Sequence, residues 1–241
     1  MREKYDLLPN WLTFGGVRGP RTIKAFGTSA LLLEWEQRID PAIHLGVLSY
    51  AAAVRHLPGF VECIPAYASL LVRFNGNLAT SRDRLYDLAV PELSATAGKL
   101  HRLPVCYGGS HGPDLAAVAR ATKLTEQGVI DLHAGETYRV YLFGYRPGFA
   151  FLGTLDERIA VPRHPRPRPA VSPGSVGLAG RQTGVYPAAA PGGWQLIGHC
   201  PLPLINSAGA TRFAVGDRVQ FYPIPDKEID GIIHADVWAE D

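Results

Sequence analysis

Cysteine is scarce in these 241 residues, and the three present, Cys63, Cys106 and Cys200, are odd in number and show no CxxC spacing. Neither a disulfide framework nor a zinc site is therefore expected, and no metal is assigned. Charge of one sign is just as scarce. Lys and Arg number 24 against 22 Asp and Glu, a formal net charge of +2, which gives no reason to expect a nucleic acid or a membrane as partner. No apolar run reaches spanning length, and MREKYDLLPNWLTFGG lacks the apolar stretch that follows a basic start in a secretory signal, so the chain reads as cytoplasmic. Phosphate-binding motifs are missing too. Gly174, Gly177 and Gly180 are followed by no Lys-Ser or Lys-Thr pair, and their flanks do not read as strand-to-helix, which excludes a P-loop and a dinucleotide fingerprint. Asp156 and Glu157 share a turn, with no other acid converging on them, so no catalytic carboxylate pair is assigned.

Glycine and proline are plentiful, at 26 and 20, and point to β-rich structure with many turns. Two segments concentrate them. In TYRVYLFGYRPGFAFLG, Tyr138, Val140 and Leu142 alternate with Arg139, Tyr141 and Phe143 as in a strand buried on nearly both faces, before Gly144, Pro147, Gly148 and Gly153 interleave with Tyr145, Phe149 and Phe151. The second segment, VSPGSVGLAGRQTGVYPAAAPGGW, sets glycines around Gln182, Thr183, Tyr186 and Trp194. Large rings beside exposed backbone read as the walls of a site.

Along the chain, residues 1–22 show no sustained periodicity and read as an irregular arm. Residues 23–100 read as a small helix-backed antiparallel sheet. Ala30 to Trp35 suits a strand; Ile43, Val47, Tyr50, Ala51, Val54 and Leu57 fall at helical spacing before Pro58 and Gly59; VECIPAY and SLLVRF are two more strands; and Ser81 is the expected cap of a helix running to Leu88. The pattern changes near Gly98 to Leu103. Residues 101–226 open with a strand and a helix led by Pro113 and Asp114, whose carboxylate suits the helix dipole, and Thr125 caps a second helix with His133 in its last turn. Short strands separated by Gly and Pro then predict a closed or nearly closed β structure, and 227–241 form a charged, turn-rich tail. The fold class is α+β, a helix-backed antiparallel sheet followed by a β-barrel domain.

Each candidate for chemistry has a plainer reading beside it. His133 sits where it could point over the opening strand, or serve as a cation at a helix C-terminus. Gln182, Thr183 and Tyr186 offer hydrogen bonds to a small polar or amide-like ligand, or stabilise turns. Trp194 is core or ligand platform. His199 and Cys200 are adjacent, yet neighbours in an extended strand face opposite sides, which disfavours a thiolate–imidazole pair. Arg163, His164, Arg166 and Arg168 lie in a proline-rich stretch that reads as an exposed, solvated basic loop, with an acidic partner or phosphate as the functional alternative.

PVCYGGSHGPDL, YRVYLFGYRPGFAFLGTLD and PRPAVSPGSVGLAGRQTGVYPAAAPGGWQLIG, with ALLLEW and VECIPAYASLLVRF ahead of them, together resemble the family called KipI, allophanate hydrolase subunit 1 or the 5-oxoprolinase B subunit. The resemblance covers about Ile23 to Ile224. It implies a cyclophilin-like barrel after the α+β domain, and one component of a heteromeric ATP-dependent 5-oxoprolinase that opens 5-oxoproline, a small cyclic amide, to glutamate. The implied partners are a KipA protein, which is the C-type component of 5-oxoprolinase, and an A-type 5-oxoprolinase protein, with ATP bound at the level of the complex. The family also implies two alternatives: inhibition of a histidine kinase, and a carboxyltransferase component acting on urea or a related amide. The positions matching its motifs are His133, Tyr141, Gly144, Pro147, Gly148, Phe149, Gly180, Gln182, Thr183, Gly184, Tyr186, Pro187, Gly192, Gly193 and Trp194; the substrate-binding assignment falls on His133, Tyr141, Gly144, Pro147, Gly148, Phe149, Gln182, Thr183, Tyr186, Pro187 and Trp194. Individual catalytic groups are not assigned. LIGHCP departs from the family's usual Arg-Thr after the glycine, so His199 would meet an anion there only when protonated.

Overall fold

The computed structural model describes residues 13–14, 17–94 and 98–234, in two compact units, 1–97 and 98–241. In the first, Thr13–Phe14 (β1) and Val17–Arg18 (β2) pair as a short antiparallel ribbon, where an irregular arm was expected; residues 1–12 of that arm lie outside the described residues. Thr22–Phe26 (β3), Ala30–Glu34 (β4), Phe60–Pro65 (β5) and Ser69–Phe74 (β6) form an antiparallel sheet in the order β3-β4-β6-β5. Alternation along β6 turns Leu70, Val72 and Phe74 inward. They meet Ile43, Val47 and Val54 of the helix Pro41–Val54 (α1), which starts sharply because Asp40 accepts the Ala42 N–H at 2.8 Å and Pro41 needs no donor partner in the first turn.

The helix Leu78–Tyr86 (α2) begins earlier than the sequence predicts. Asn77, not Ser81, is its cap and accepts the Ala79 N–H at 2.8 Å. Asn caps as well as Ser does, and the earlier start adds a turn. Ser81 is left inside the helix, its hydroxyl donating to the Asn77 carbonyl at 3.2 Å.

The second unit begins with Leu100–Tyr107 (β7), then Leu115–Thr122 (α3) and Glu126–Ala134 (α4), the latter capped by Thr125. Nearly everything beyond is strand and turn: Thr137–Phe143 (β8), Ala150–Gly153 (β9), Arg168–Val171 (β10), Ser175–Ala179 (β11), Gln182–Val185 (β12), Ala190–Gly192 (β13), Gln195–His199 (β14) and Arg218–Pro223 (β15). The expected barrel is present and closed, in the order β11-β12-β9-β8-β15-β7-β14. Every pairing is antiparallel except the seam between β7 and β15. β10 and β13 pair with each other outside the barrel.

Val105, Val140, Leu152, Val176, Leu178, Ile197, Val219 and Phe221 fill one core cluster, to which α3 and α4 contribute Leu115, Val118 and Val129. The tail is not purely solvated: Ile229, at the start of the helix Ile229–His234 (α5), packs with Cys106 and Ile224, while residues 235–241 of the tail lie outside the described residues. Among the described residues no helix is long and apolar enough to cross a membrane.

Candidate functional site

The chain leaves β8 through Gly144 and turns back into β9 within six residues. Two left-handed positions shape the turn: Tyr145, at φ 68°, and Gly148, at φ 77°. A Cβ on Gly148 would lie 2.5 Å from the Ile205 side chain, so only glycine fits without displacing it. Tyr145 has no such freedom, and its conformation is held by contacts: its hydroxyl donates to the Pro191 carbonyl, and its ring stands edge-on to Phe149 at 5.6 Å. Arg146 adds a second stitch, donating to the Ala189 carbonyl at 3.1 Å. The two glycine-rich segments picked out in the sequence are thus sewn together at their tips.

Beneath the stitches lies an aromatic cluster centred on Phe149, with Phe151, Tyr186 and Trp194 edge-on at 5.0, 5.2 and 5.3 Å. Edge-to-face contacts of this kind add to the burial of apolar area. Phe149, Tyr186 and Trp194 are 5% exposed or less. These rings are a floor, not walls. Burial pushes the Tyr186 hydroxyl above its ordinary range, so it stays protonated. What faces solvent is Tyr145, Arg146 and Pro147, with half-buried Gly144, Gln182 and Pro187. Of the predicted site residues, Gly144, Pro147, Gly148, Phe149, Tyr186, Pro187 and Trp194 gather around this stitched pair of loops, and Gln182 opens the neighbouring strand β12, opposite Gly153.

His133, Tyr141 and Thr183 are fully buried instead. His133 Nδ1 lies 2.7 Å from the Tyr107 hydroxyl and Nε2 2.9 Å from Thr183 Oγ1, while the ring stacks on Phe221 at 4.6 Å. Thr183 Oγ1 donates its one proton to the Gly177 carbonyl at 3.1 Å, which makes it the acceptor of a proton on Nε2, and leaves Nδ1 to accept from Tyr107. The tautomer follows from the network. Burial drives the imidazole down to about 3, so His133 is neutral, and of its two readings the helix-terminal cation does not form. The α4 carbonyl at His133 is capped by the Tyr138 hydroxyl at 2.8 Å.

The basic stretch is exposed at Arg163, Pro165, Arg166 and Pro167, as expected of a solvated loop, but His164 and Arg168 are anchored. Asp114, assigned only a helix-dipole role from sequence, makes no helix cap; its buried carboxylate accepts from Arg168 at 2.7 Å and from the Leu196 N–H at 2.6 Å, and faces His164 Nε2 at 3.2 Å. Burial alone would raise this carboxyl, but the bonds from Arg168, Leu196 and His164 outweigh it and hold it below the usual range. Arg163 stands over the Trp194 ring at 5.9 Å. A single carboxylate thereby fastens residues 163–168 over the aromatic floor. Nothing in the local sequence marks it, because its partners lie 50 and 54 positions away.

His199 and Cys200 form no pair. Cys200 joins the barrel core, where burial pushes its thiol up to about 12, while His199 lies against His111, ring centroids 5.8 Å apart. Burial and then the neighbouring His111 lower the His199 imidazole, so it is neutral at neutral pH and supplies no cation in place of the family's arginine.

The class follows from the family described as carboxyltransferase domain, subdomain C and D, which matches residues 21–215 and so takes in the helix-backed sheet and the barrel strands up to β14. Within that class the chain is 40% identical over 228 residues to the 5-oxoprolinase B subunit of Bacillus subtilis (strain 168), covering 86% of this chain and 94% of that protein. The corresponding B subunit of Escherichia coli O157:H7 is 38% identical over 203 residues, covering 82% and 93%. The chain belongs to the family of 5-oxoprolinase B subunits. The crystal structure of TTHA0988 superposes with a TM-score of 0.72 at 32% identity, covering 81% of this chain and 40% of that longer one.

Proposed function

We propose that this chain is the B component of a heteromeric, ATP-dependent 5-oxoprolinase that opens 5-oxoproline to glutamate. The observation that carries the reading is the 40% identity extending over 94% of a curated protein of that name. The ring amide of 5-oxoproline is a poor electrophile, so opening it calls for activation of the amide oxygen, by phosphoryl transfer, and for donors placed where negative charge develops. In this reading ATP is bound at the level of the complex that the chain forms with a C-type and an A-type component. That the chain corresponds to 40% of the longer TTHA0988 chain supports a module built to work beside further domains.

In this reading Gly144, Pro147, Gln182 and Pro187, with Tyr145 and Arg146, form the rim that meets the substrate and a partner protein. Phe149, Tyr186 and Trp194 hold the rim from below. His133, Tyr141 and Thr183 act as positioning residues behind β12, since their burial leaves them no surface to offer a ligand. The test is co-expression with both partner types and measurement of ATP-dependent glutamate formation from 5-oxoproline. Turnover that requires all three chains supports the reading, and none from three folded, assembled chains overturns it. Gln182→Ala in an assembled complex lowers turnover if the rim meets substrate.

A further inference from the structure

We propose that Cys106, His111, His199 and Asp226 form a binding site for one divalent cation of the zinc class. The four come from separate segments: the end of β7, the loop before α3, the end of β14 and the 3-10 turn after β15. One donor atom from each of Cys106, His111 and Asp226 lies within 4.8 Å of the others, and His111 Nε2 is 2.7 Å from Asp226 Oδ1. Cys106 and His199 are direct cross-strand partners on β7 and β14, so their side chains share a face. His199 lies beside His111, ring centroids 5.8 Å apart, but outside that 4.8 Å group, so it joins as the fourth ligand by turning its ring toward the other three.

The set is right for zinc in number and kind. Tetrahedral zinc takes sulfur at about 2.3 Å and nitrogen or oxygen at about 2.0–2.2 Å, so a cation parts the hydrogen-bonded His111 and Asp226 slightly and draws Cys106 and His199 inward. A thiolate and a carboxylate cancel the charge of a divalent ion, and the two imidazoles remain neutral. Burial, with the Asp226 carboxylate as a lesser cause, keeps the Cys106 thiol protonated without a cation. Binding therefore releases the thiol proton. Sulfur among the donors selects against magnesium and calcium. The backbone is already fixed: Gly108 N–H donates to the Ile197 carbonyl and Asp114 N–H to the Leu196 carbonyl, which pins the His111 loop to β14, while Ile224 N–H donates to the Val105 carbonyl, which pins the chain just before Asp226 to β7. A cation here ties the turn at Asp226, and α5 behind it, to the barrel. The site is independent of the 5-oxoprolinase reading, and it departs from the expectation of no metal, which rested on the absence of CxxC spacing.

The test uses the untagged chain, stripped with a chelator and titrated with cobalt(II) alone. The expected result is one cobalt per chain, visible bands of tetrahedral intensity and a thiolate-to-cobalt charge-transfer band, all displaced by zinc. Cys106→Ser abolishes the charge-transfer band, Cys63→Ser and Cys200→Ser leave it intact, and Asp226→Asn and His199→Ala each weaken binding by about tenfold or more. Absence of stoichiometric binding, or a band that survives Cys106→Ser, overturns the proposal. Should Cys106→Ser not fold by circular dichroism, Asp226→Asn and His199→Ala decide: unchanged affinity in both overturns it.

Discussion

The buried imidazole of His133 makes the stability of the barrel unit fall on mild acidification by a calculable amount. In the folded chain the ring stays neutral down to about pH 3, whereas a free histidine takes a proton near 6.5. Protons therefore bind the unfolded chain preferentially. The stabilising contribution is whole above 6.5 and drains away as pH falls toward 3, at about 1.4 kcal/mol per pH unit. From pH 7 to pH 5 the loss from this one residue is about 2 kcal/mol. The perturbation that isolates it is His133→Gln, which keeps donor and acceptor capacity for Thr183 and Tyr107 but cannot titrate. The variant is less stable than the parent at pH 7, since the stacking on Phe221 is lost. The gap narrows by about 2 kcal/mol at pH 5, because every other titrating group is common to both proteins and cancels. Urea unfolding at half-unit steps of pH, followed by tryptophan fluorescence and circular dichroism, reads the difference directly. Parallel stability curves for the two proteins would refute the reasoning, and would mean that His133 reaches water in the folded state.

Asp114→Ala leaves the Leu196 N–H and the Arg168 guanidinium without their carboxylate; it lowers stability by about 2–4 kcal/mol, and hydrogen exchange measured by mass spectrometry speeds up across residues 162–171. Gly148→Ala forces a Cβ into Ile205 at a left-handed position; it lowers stability by about 1–3 kcal/mol in thermal unfolding and lowers turnover of the assembled enzyme. Tyr145→Phe keeps the ring contacts and removes only the bond to the Pro191 carbonyl, so turnover falls while the unfolding midpoint stays within about 1 kcal/mol of the parent.

Much of the architecture was legible because it rests on local signals. The helical spacing from Ile43 to Leu57, Thr125 before Glu126 and the apolar run SLLVRF name their own elements, and the many short strands between glycines foreshadow a barrel. Even so, Asn77 took the cap assigned to Ser81, since two adequate caps in one stretch leave the choice to packing. The site was half legible. Its two loops announced themselves through glycine and aromatic content, but composition does not say which side of a strand meets solvent, so whether Trp194 is core or platform was open until the fold buried its ring. The clamp of Asp114 on His164 and Arg168, and the approach of Asp226 to His111, left no trace at all. Their partners come together only when the barrel closes, and no periodicity or spacing encodes contacts across 50 or more residues.

The parallel seam of the barrel has a consequence for how the molecule is made. Asp217 accepts the Lys99 N–H across 118 positions and pairs with His101, and β15 then runs beside the strand that opened the unit. While the chain is being synthesised, β7 therefore waits with one edge bare until the ribosome has released residue 223. Loop-closure entropy of this size makes seam formation a late and slow event, and the waiting edge a template for unwanted strand addition. A nascent chain stalled between α4 and β15 would be the form most in need of a chaperone.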